Sequence, residues 1–315
     1  MEKLKKIIDL EALNECYRSS DKVISVILIG SCSRDEEIVV DGRLLSDIEF
    51  FIIYDGKISK SEMNIVNERI DSFAKNNKIK IDYSYLPFSG LPKLKHRLIF
   101  LDTIKTGRVI YGLDNTISLF PKINEATLDV NDVDEIVLYR LLDILSEAST
   151  EEVKVSMLKN VMYLVTWALI KDGELPSTFS ERYNKCKDNA RKDRNCFSNQ
   201  LLNSYIDLIE FSYLYRTEGT INTSKIDVLK LFKLYENVLI EMEKNSFTKS
   251  DHRYKIRMLK ISIQHSPSLF FKVIKNDFRL KLCQYILGSI NKKIESGRQC
   301  SGKYESYDKI IKRYR

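Results

Sequence analysis

The fold is decided by the stretch Val23–Tyr54, which reads VISVILIGSCSRDEEIVVDGRLLSDIEFFIIY. Its first apolar run predicts a strand over 23–29 that ends abruptly at Gly30-Ser31. After a polar loop, Asp47-Ile48-Glu49 opens a second apolar run, which predicts a strand over 48–54. Alternate residues of a strand face the same side, so Asp47 and Glu49 lie together while Ile48 points into the core. Two acids held this close repel each other, and a divalent cation is the usual remedy.

A third acid lies on another predicted strand. The stretch Lys78–Leu86, KIKIDYSYL, alternates strictly between apolar and polar residues. This period of two predicts a half-buried strand with Lys80, Asp82 and Ser84 on its exposed face. If this strand lies beside the one that carries Asp47, the carboxylate of Asp82 joins the first two acids.

These features resemble the signature of the polymerase-beta-like nucleotidyltransferase superfamily, in particular its bacterial small-molecule, aminoglycoside-type branch. The signature is Gly-Ser, a spacer, an acid-hydrophobic-acid triplet and a later single acid within an apolar strand. Here the spacer Cys32–Ser46 has fifteen residues, which is longer than in the commonest members. It contains Arg34-Asp35-Glu36-Glu37 and is similar to the GS-x-x-R-x-E form of some bacterial branches.

The resemblance implies attack on the α-phosphorus of a nucleoside triphosphate, with pyrophosphate as the leaving group. Asp47 and Glu49 would hold two Mg²⁺ ions. Asp82 would bind the ion nearer the acceptor and help to deprotonate the attacking hydroxyl. Gly30 would let the backbone approach the phosphates, and Ser31 would donate a hydrogen bond to them at a helix N-terminus. Each acid taken alone is better explained as a strand cap, an edge charge or a solvent-facing residue, whereas the three together favour an active site.

Two basic residues complete the set expected to bind the co-substrate. Arg34 lies in the spacer, and Lys159 lies early in a predicted helix from which relatives extend a lysine to the triphosphate. An exposed helical lysine is also often only solvated. The expected co-substrate is ATP, with another NTP as the alternative, because nothing in the sequence specifies the base.

The chain is predicted to have three parts. Residues 1–125 form the nucleotidyltransferase catalytic domain, an α+β fold with a small mixed β-sheet and helices on one face. Residues 126–248 form an all-α domain that covers the nucleotide and substrate, and residues 249–315 form a basic helical C-terminal segment. Tyr111–Asp114 looks like the turn that closes the catalytic domain in bacterial relatives.

Helix signals support this division. Three residue pairs have the spacing of a capping box, namely Ser59 with Glu62, Asp132 with Glu135, and Ser149 with Glu152. The predicted helices cover residues 2–18, 59–75, 93–106, 149–172, 201–214, 228–242, 252–264 and 268–287.

Composition narrows the class of protein. The chain has 315 residues, enough for a substantial core and two or three domains. No run approaches the roughly 18 apolar residues of a membrane span, and the N-terminus is not a signal peptide, so a cytoplasmic location is expected. The six cysteines form no CxxC pair and the three histidines have no metal-ligand spacing, which indicates free thiols and no zinc site.

The net charge of +7 conceals an asymmetry. Residues 249–315 hold 17 Lys or Arg against 5 Asp or Glu, a net of +12, which leaves residues 1–248 with a net of −5. A basic segment of this kind could engage nucleic acid, an acidic partner or anionic lipid, or simply offset the acidic body.

Three functional hypotheses follow. The first is a Mg²⁺-dependent nucleotidyltransferase that moves a nucleoside monophosphate, AMP from ATP by preference, onto a hydroxyl of a small-molecule acceptor. The second keeps this chemistry but modifies RNA ends or a protein, as in an antitoxin or defence pair, with the basic segment as its direct support. The third is a non-catalytic nucleotide-binding or scaffold protein of the same fold. The acceptor and the oligomeric state stay open, and many small-molecule relatives are homodimers.

Overall fold

The computed structural model is an α+β protein with a small mixed sheet and many helices, which confirms the predicted fold class. The predicted capping box at Asp132 and Glu135, Ser149 of the next box, and the basic segment 249–315 lie outside the described part of the chain. The structure describes residues 4, 7–40, 42–44, 46–125, 128, 137, 140, 150–191, 197–219 and 226–244.

The chain divides into two compact units that alternate along the sequence. The first unit combines Met1–Asp132 with two later segments, Gly173–Lys185 and Tyr213–Ile221. The second unit contains the described residues of Val133–Asp172, Cys186–Ser212 and Asn222–Arg315. The predicted boundary after residue 125 stays a prediction.

The first unit is built on a four-stranded sheet. Its strands are β1 (Val23–Ile29), β4 (Ile48–Tyr54), β5 (Ile81–Pro87) and β6 (Arg108–Gly112), in the spatial order β5-β4-β1-β6. β1 pairs antiparallel with both β4 and β6, whereas β4 pairs parallel with β5. In the spacer, β2 (Val39–Val40) and β3 (Arg43–Leu44) form a short separate hairpin.

The pairing register brings three strand ends together at one edge of the sheet. Ile29, the last residue of β1, lies opposite Glu49 of β4, and Glu49 lies beside Asp82 of β5. The N–H group of Ile48 donates to the carbonyl of Lys80 at 2.9 Å, so the pairing of β4 with β5 begins one residue before β5 itself. This row of residues positions the site described below.

Both faces of the sheet are buried. Ile48, Phe50 and Ile52 belong to a core cluster on one face, as their alternation predicts. Phe51 points the other way and contacts Phe100, with ring centroids 5.7 Å apart. Fully burying such a side chain contributes roughly 1.5–3 kcal/mol, so these apolar runs stabilise the sheet from both faces. Phe100 thus brings a helix to the face opposite that core cluster.

The described helices of the sheet region are α1 (Leu10–Tyr17), α2 (Gly30–Ser33), α3 (Lys60–Asn77) and α4 (Leu98–Thr106). The predicted capping box of Ser59 and Glu62 is confirmed at the start of α3. α4 begins at Leu98 and not at Lys93, because Phe88–Lys93 form a 3₁₀ helix that contains Pro92.

The predicted turn at Tyr111–Asp114 is also corrected. Tyr111 and Gly112 end strand β6, and Asp114–Leu119 form a 3₁₀ helix. The predicted helix over 201–214 is two helices with a 3₁₀ turn, Asn203–Tyr205, between them.

The remaining helices are α5 (Thr150–Lys171), α6 (Phe179–Arg191), α7 (Phe197–Leu202), α8 (Ile206–Glu218) and α9 (Val228–Lys244). In the second unit, the Tyr235 hydroxyl of α9 donates to the Met157 carbonyl of α5 at 2.8 Å. By length and composition the stretch Glu152–Lys171 could span a membrane, yet 67% of that window is buried within the structure. Burial of this extent is also typical of the core helix of a soluble protein.

Candidate active site

The Gly-Ser turn follows the central strand β1 and lies against Glu49. Gly30 has a φ of +72°, in the left-handed region that favours glycine. A Cβ atom at Gly30 would come within 2.0 Å of Glu49 Oε2. The carbonyl of Ser31 accepts the N–H groups of Arg34 and Glu36 at 3.1 and 3.0 Å, which closes the turn. The backbone conformation therefore favours glycine at position 30, and a side chain there would push the carboxylate of Glu49 aside.

The three predicted acids lie at the same edge of the sheet. Glu49 and Asp82 are direct neighbours on adjacent parallel strands. Asp47 immediately precedes β4, two residues before Glu49 and therefore on the same side. The side chains of Asp47 and Asp82 are 36% and 28% exposed, so their carboxylates are accessible to a ligand. The structure thus brings together Gly30 and all three acids.

Lys80 joins these acids, although the sequence assigned it no role. Its Nζ atom lies 2.8 Å from Asp47 Oδ2 and 3.6 Å from Asp82 Oδ2. One ammonium group therefore contacts carboxylates that come from two different strands. The alternating pattern had already placed Lys80 on the face of Asp82, but the contact with Asp47 depends on the parallel pairing of β4 with β5.

A buried cysteine follows the Gly-Ser turn directly. The Cys32 side chain is buried and its thiol contacts the carbonyl oxygen of Asp47 at 3.6 Å. Burial, and after it the negative charge of Glu37, raises the pKa of the Cys32 thiol to about 12. The charges of Glu49 and Asp47 act on this thiol in the same direction. Cys32 is therefore a packing residue of the site and not a nucleophile.

Glu37 is a second residue that the sequence analysis missed. It is 3% exposed, and neither of its carboxylate oxygens has a hydrogen-bond partner among the residues that the structure describes. Its neighbour Ile38 donates an N–H to the Ser46 hydroxyl at 2.8 Å, which holds this segment against the residue before Asp47. A buried carboxylate without a hydrogen-bond partner is costly, so Glu37 destabilises this segment as far as the described residues show.

Arg34 is engaged in a buried cluster of its own. Its Nε donates to Glu36 Oε2 at 2.8 Å, and its guanidinium carbon lies 5.1 Å from the ring centroid of Phe179. The other oxygen of Glu36 accepts the N–H groups of Phe179 and Ser180, the first two residues of α6. A carboxylate at a helix N-terminus is stabilised by the helix dipole. The binding of a co-substrate by Arg34 stays a prediction.

Lys159 lies in α5 and belongs to the second unit. Its side chain is half-buried, and Asn160 beside it is buried. The predicted contact of Lys159 with a triphosphate likewise stays a prediction.

The three acids fit a hard divalent cation in their chemistry. Carboxylate oxygens are the protein ligands that Mg²⁺ prefers, and the Lys80 ammonium already lies as a cation against Asp47 and Asp82. Within the described residues, no group of three or more His, Cys, Asp or Glu side chains is arranged to hold a metal ion. The three acids lie along one edge of the sheet, but they do not converge on a single point. Two of them, Asp47 and Asp82, already form ion pairs with Lys80.

No family model and no curated protein matches this chain. Among solved structures, it is similar to spectinomycin adenyltransferase AAD(9) from Enterococcus faecialis, whose crystal structure contains ATP and spectinomycin. The two chains are 13% identical, the match covers 75% of this chain and 97% of that one, and the TM-score is 0.42.

Proposed function

We propose that this protein is a nucleotidyltransferase that moves a nucleoside monophosphate onto a hydroxyl group and releases pyrophosphate. The observation that carries the proposal is the row formed by Gly30, Glu49 and Asp82, with Asp47 on the same edge. Neighbouring carboxylates repel each other, so three of them at one edge of a sheet are unfavourable for stability alone. A site that binds a divalent cation together with a polyphosphate requires such carboxylates as ligands of the cation.

Asp47, Glu49 and Asp82 would hold the Mg²⁺ ions. When bound, Mg²⁺ stabilises negative charge on the attacking and leaving oxygens of the phosphoryl group. The absence of a side chain at Gly30 lets the backbone approach the phosphates, and Ser31 offers a hydroxyl donor beside it. Arg34 and Lys159 are the basic residues proposed to contact the nucleotide.

In the proposed step, the acceptor oxygen attacks the α-phosphorus and forms a new P–O bond. The bond from the α-phosphorus to the pyrophosphate oxygen breaks, and pyrophosphate leaves with the bonding electron pair. The proton of the acceptor hydroxyl passes to the carboxylate of Asp82, which is partly exposed and can therefore meet the acceptor.

A small molecule is the preferred acceptor and ATP the preferred donor. The fifteen-residue spacer and the helical region that follows the sheet resemble the small-molecule branch more than the minimal antitoxin type. A cytoplasmic location and a homodimer belong to the same proposal, and size-exclusion chromatography with light scattering tests the second of these.

The test is nucleotide turnover by the purified protein with each of four labelled NTPs and Mg²⁺. Pyrophosphate release and label transfer are followed with and without a pool of bacterial small molecules and RNA. Asp47→Asn and Asp82→Asn are expected to lower transfer by about 100-fold or more. Asp55→Asn is the matched control, because Asp55 is an exposed acid just past the opposite end of β4.

Mg²⁺-dependent transfer that is lost in both site variants and kept in Asp55→Asn would support the proposal, and the labelled product would identify the acceptor class. The proposal would be abandoned if no NTP is turned over, or if the site variants are as active as wild type. Labelled RNA, together with binding that weakens steeply with salt, would favour the RNA-modifying hypothesis.

One observation favours a second candidate, a non-catalytic nucleotide-binding protein. Lys80 already neutralises part of the charge of Asp47 and Asp82, so these carboxylates have a structural use without metal. In that case Asp47→Asn would leave nucleotide binding unchanged. Isothermal titration of wild type and Asp47→Asn with ATP, in Mg²⁺ and in EDTA, separates the two candidates.

A further inference from the structure

The N-terminus of α6 is capped by two residues, of which one is remote in sequence. The first N–H groups of a helix have no acceptor within the helix itself. Thr178 Oγ1 accepts the N–H of Glu181 at 3.1 Å, as an N-cap residue does. The N–H groups of Phe179 and Ser180 donate instead to Oε1 of Glu36, which lies 143 and 144 positions earlier in the chain. Glu36 therefore completes the cap of a helix that its own segment does not adjoin.

The main chain of Glu36 belongs to the Gly-Ser turn. Its N–H donates to the carbonyl of Ser31 at 3.0 Å, and the N–H of Arg34 donates to the same oxygen at 3.1 Å. Glu36 is thus bonded to the turn through its backbone and to α6 through its side chain. Both the turn and the start of α6 belong to the first unit.

The bonds of the Glu36 side chain are shielded from water. Its second oxygen accepts Nε of Arg34 at 2.8 Å, and the two side chains are 13% and 5% exposed. Phe179 is 2% exposed, and its ring lies under the guanidinium of Arg34. Hydrogen bonds to a charged group that is screened from solvent are stronger than those on the surface. The Glu36 carboxylate is therefore fixed at both of its oxygens.

The Gly-Ser turn gains little rigidity from its own helix. α2 has only four residues, too few to be stable as a helix by itself. Gly30 at its start adds backbone freedom. A turn that is to bind phosphates has to be held in place by its surroundings, because ordering it on binding would cost affinity. The bonds of Glu36 to α6 supply such a support.

We propose that Glu36 is a positioning residue of the candidate active site, which anchors the Gly-Ser turn to the N-terminus of α6. In this role its carboxylate acts through the turn and not on the substrate. The inference rests on the proposed function for its effect on nucleotide binding, whereas the anchoring of the turn is independent of that function.

The experiment measures hydrogen exchange of single backbone amides by NMR, without nucleotide. In Glu36→Ala, the amides of Phe179 and Ser180 should exchange faster, because they lose their acceptor. The decisive amides are those of Arg34 and residue 36, since the substitution leaves their acceptor, the Ser31 carbonyl, in place. After correction for intrinsic rates and for global unfolding, which the amides of β1 report, their exchange should become about 10-fold faster.

Two further variants make the comparison specific. Glu36→Gln keeps an oxygen for the N–H groups of α6 but loses the charge that faces Arg34, so the acceleration should be smaller, about threefold. Asp35→Asn is the matched control, because Asp35 is the exposed neighbour and pairs with the partly exposed Arg108. It should leave the exchange of the Arg34 and Glu36 amides within about twofold of wild type.

The inference would be overturned if the Arg34 and residue 36 amides exchange in Glu36→Ala as they do in wild type. An acceleration no greater than that of the β1 amides would also overturn it, because the substitution would then lower only the overall stability. If Glu36→Ala does not fold, the same comparison with Glu36→Gln decides.

Nucleotide turnover provides the second readout. Glu36→Ala should raise the KM for the NTP by about 10-fold and leave kcat within about threefold, because a loosened turn binds the phosphates less well in the ground state and the transition state alike. Asp35→Asn should keep both constants. A residue that only stabilises the fold would lower the fraction of active enzyme, and with it the apparent kcat, at an unchanged KM, and that result would contradict a positioning role.

These outcomes separate the inference from the proposed function. If wild type turns over no NTP but Glu36→Ala loosens the amides of the turn, the anchor stands and the enzymatic proposal fails. If wild type turns over NTP and the turn amides of Glu36→Ala exchange as in wild type, the enzymatic proposal stands and Glu36 is only a helix cap.

Discussion

Gly30 and Glu49 lie so close that no side chain fits between them. A Cβ atom at position 30 would come within 2.0 Å of Glu49 Oε2 and 3.1 Å of its carboxyl carbon. The observed position of the Glu49 side chain therefore depends on the absence of a side chain at Gly30. Any larger residue at position 30 would displace the Glu49 carboxylate.

Gly30→Ala is expected to lower stability through backbone strain and to displace Glu49 from its place at the edge. The matched control is Gly56→Ala, because Gly56 also has a positive φ, +63°, but a Cβ there meets nothing within 4 Å. The control should lose only the cost of the left-handed backbone, about 1–2 kcal/mol. Urea unfolding of both variants checks this, and an equal loss of stability in the two variants would contradict it.

Glu37→Met is expected to stabilise the protein. The substitution replaces a buried carboxylate, which has no hydrogen-bond partner within the described residues, by an apolar side chain of similar length. The gain should be about 1–3 kcal/mol in the free energy of unfolding, measured in urea. Glu68→Met on the exposed face of α3 is the control and should change stability by less than about 0.5 kcal/mol. A large loss of stability in Glu37→Met would contradict this prediction, because it would mean that the Glu37 carboxylate forms a stabilising interaction in the folded protein.

Glu36 and Asp35 are adjacent acids that each pair with an arginine, yet their contributions should differ. The Glu36–Arg34 pair is buried, with side chains 13% and 5% exposed, and Glu36 also accepts the first N–H groups of α6. Glu36→Gln should therefore cost roughly 1–3 kcal/mol. The Asp35–Arg108 pair is 45% and 37% exposed, so Asp35→Asn should cost about 0–1 kcal/mol.

Asparagine suits position 35 because Asp35 has a φ of +59°, which asparagine tolerates. Chemical unfolding of both variants at 0.1 and 1 M salt provides the measurement. The small loss in Asp35→Asn should vanish at high salt, whereas the loss in Glu36→Gln should persist. The reverse order of the two losses would refute the account of the buried cluster.

Cys32 should resist alkylation in the native protein. With a pKa of about 12, only roughly one thiol in ten thousand is ionised at pH 8, and burial blocks the approach of a reagent. Iodoacetamide followed by peptide mapping should leave Cys32 unmodified in buffer and label it fully in urea. Raising the pH from 7 to 9 should not produce native labelling, and rapid labelling at pH 8 would show that the turn opens.

The sequence predicted the strands at the site more closely than its loops. β1 and β4 begin and end at the predicted residues, because Gly30 and Asp55 interrupt the two short apolar runs. Strand β6 was missed because its residues are half-buried and Gly112 suggested a turn. Helix α4 starts late because Pro92 favours a 3₁₀ turn before it.

Two residues at the site could not be predicted from local pattern. Glu37 belongs to an acidic run that is typical of a solvated loop, and its burial depends on the return of the chain through Ser46. The ion pair of Lys80 with Asp47 joins residues 33 positions apart and exists only with the observed strand register. The membership of residues 173–185 and 213–221 in the first unit likewise follows from tertiary contacts, which helical periodicity does not encode.

The residues of the candidate site come together only when β4 and β5 pair in the observed parallel register. A slip of one residue would turn Lys80 and Asp82 inward and expose Ile81 and Tyr83, although the sheet could keep most of its hydrogen bonds. Parallel strands joined by a long crossover pair late, because the loop must close before its contacts form. A chain that has collapsed but is out of register would still be compact and helical. The contacts of Lys80 with both Asp47 and Asp82 would therefore report that β4 and β5 have paired in the native register.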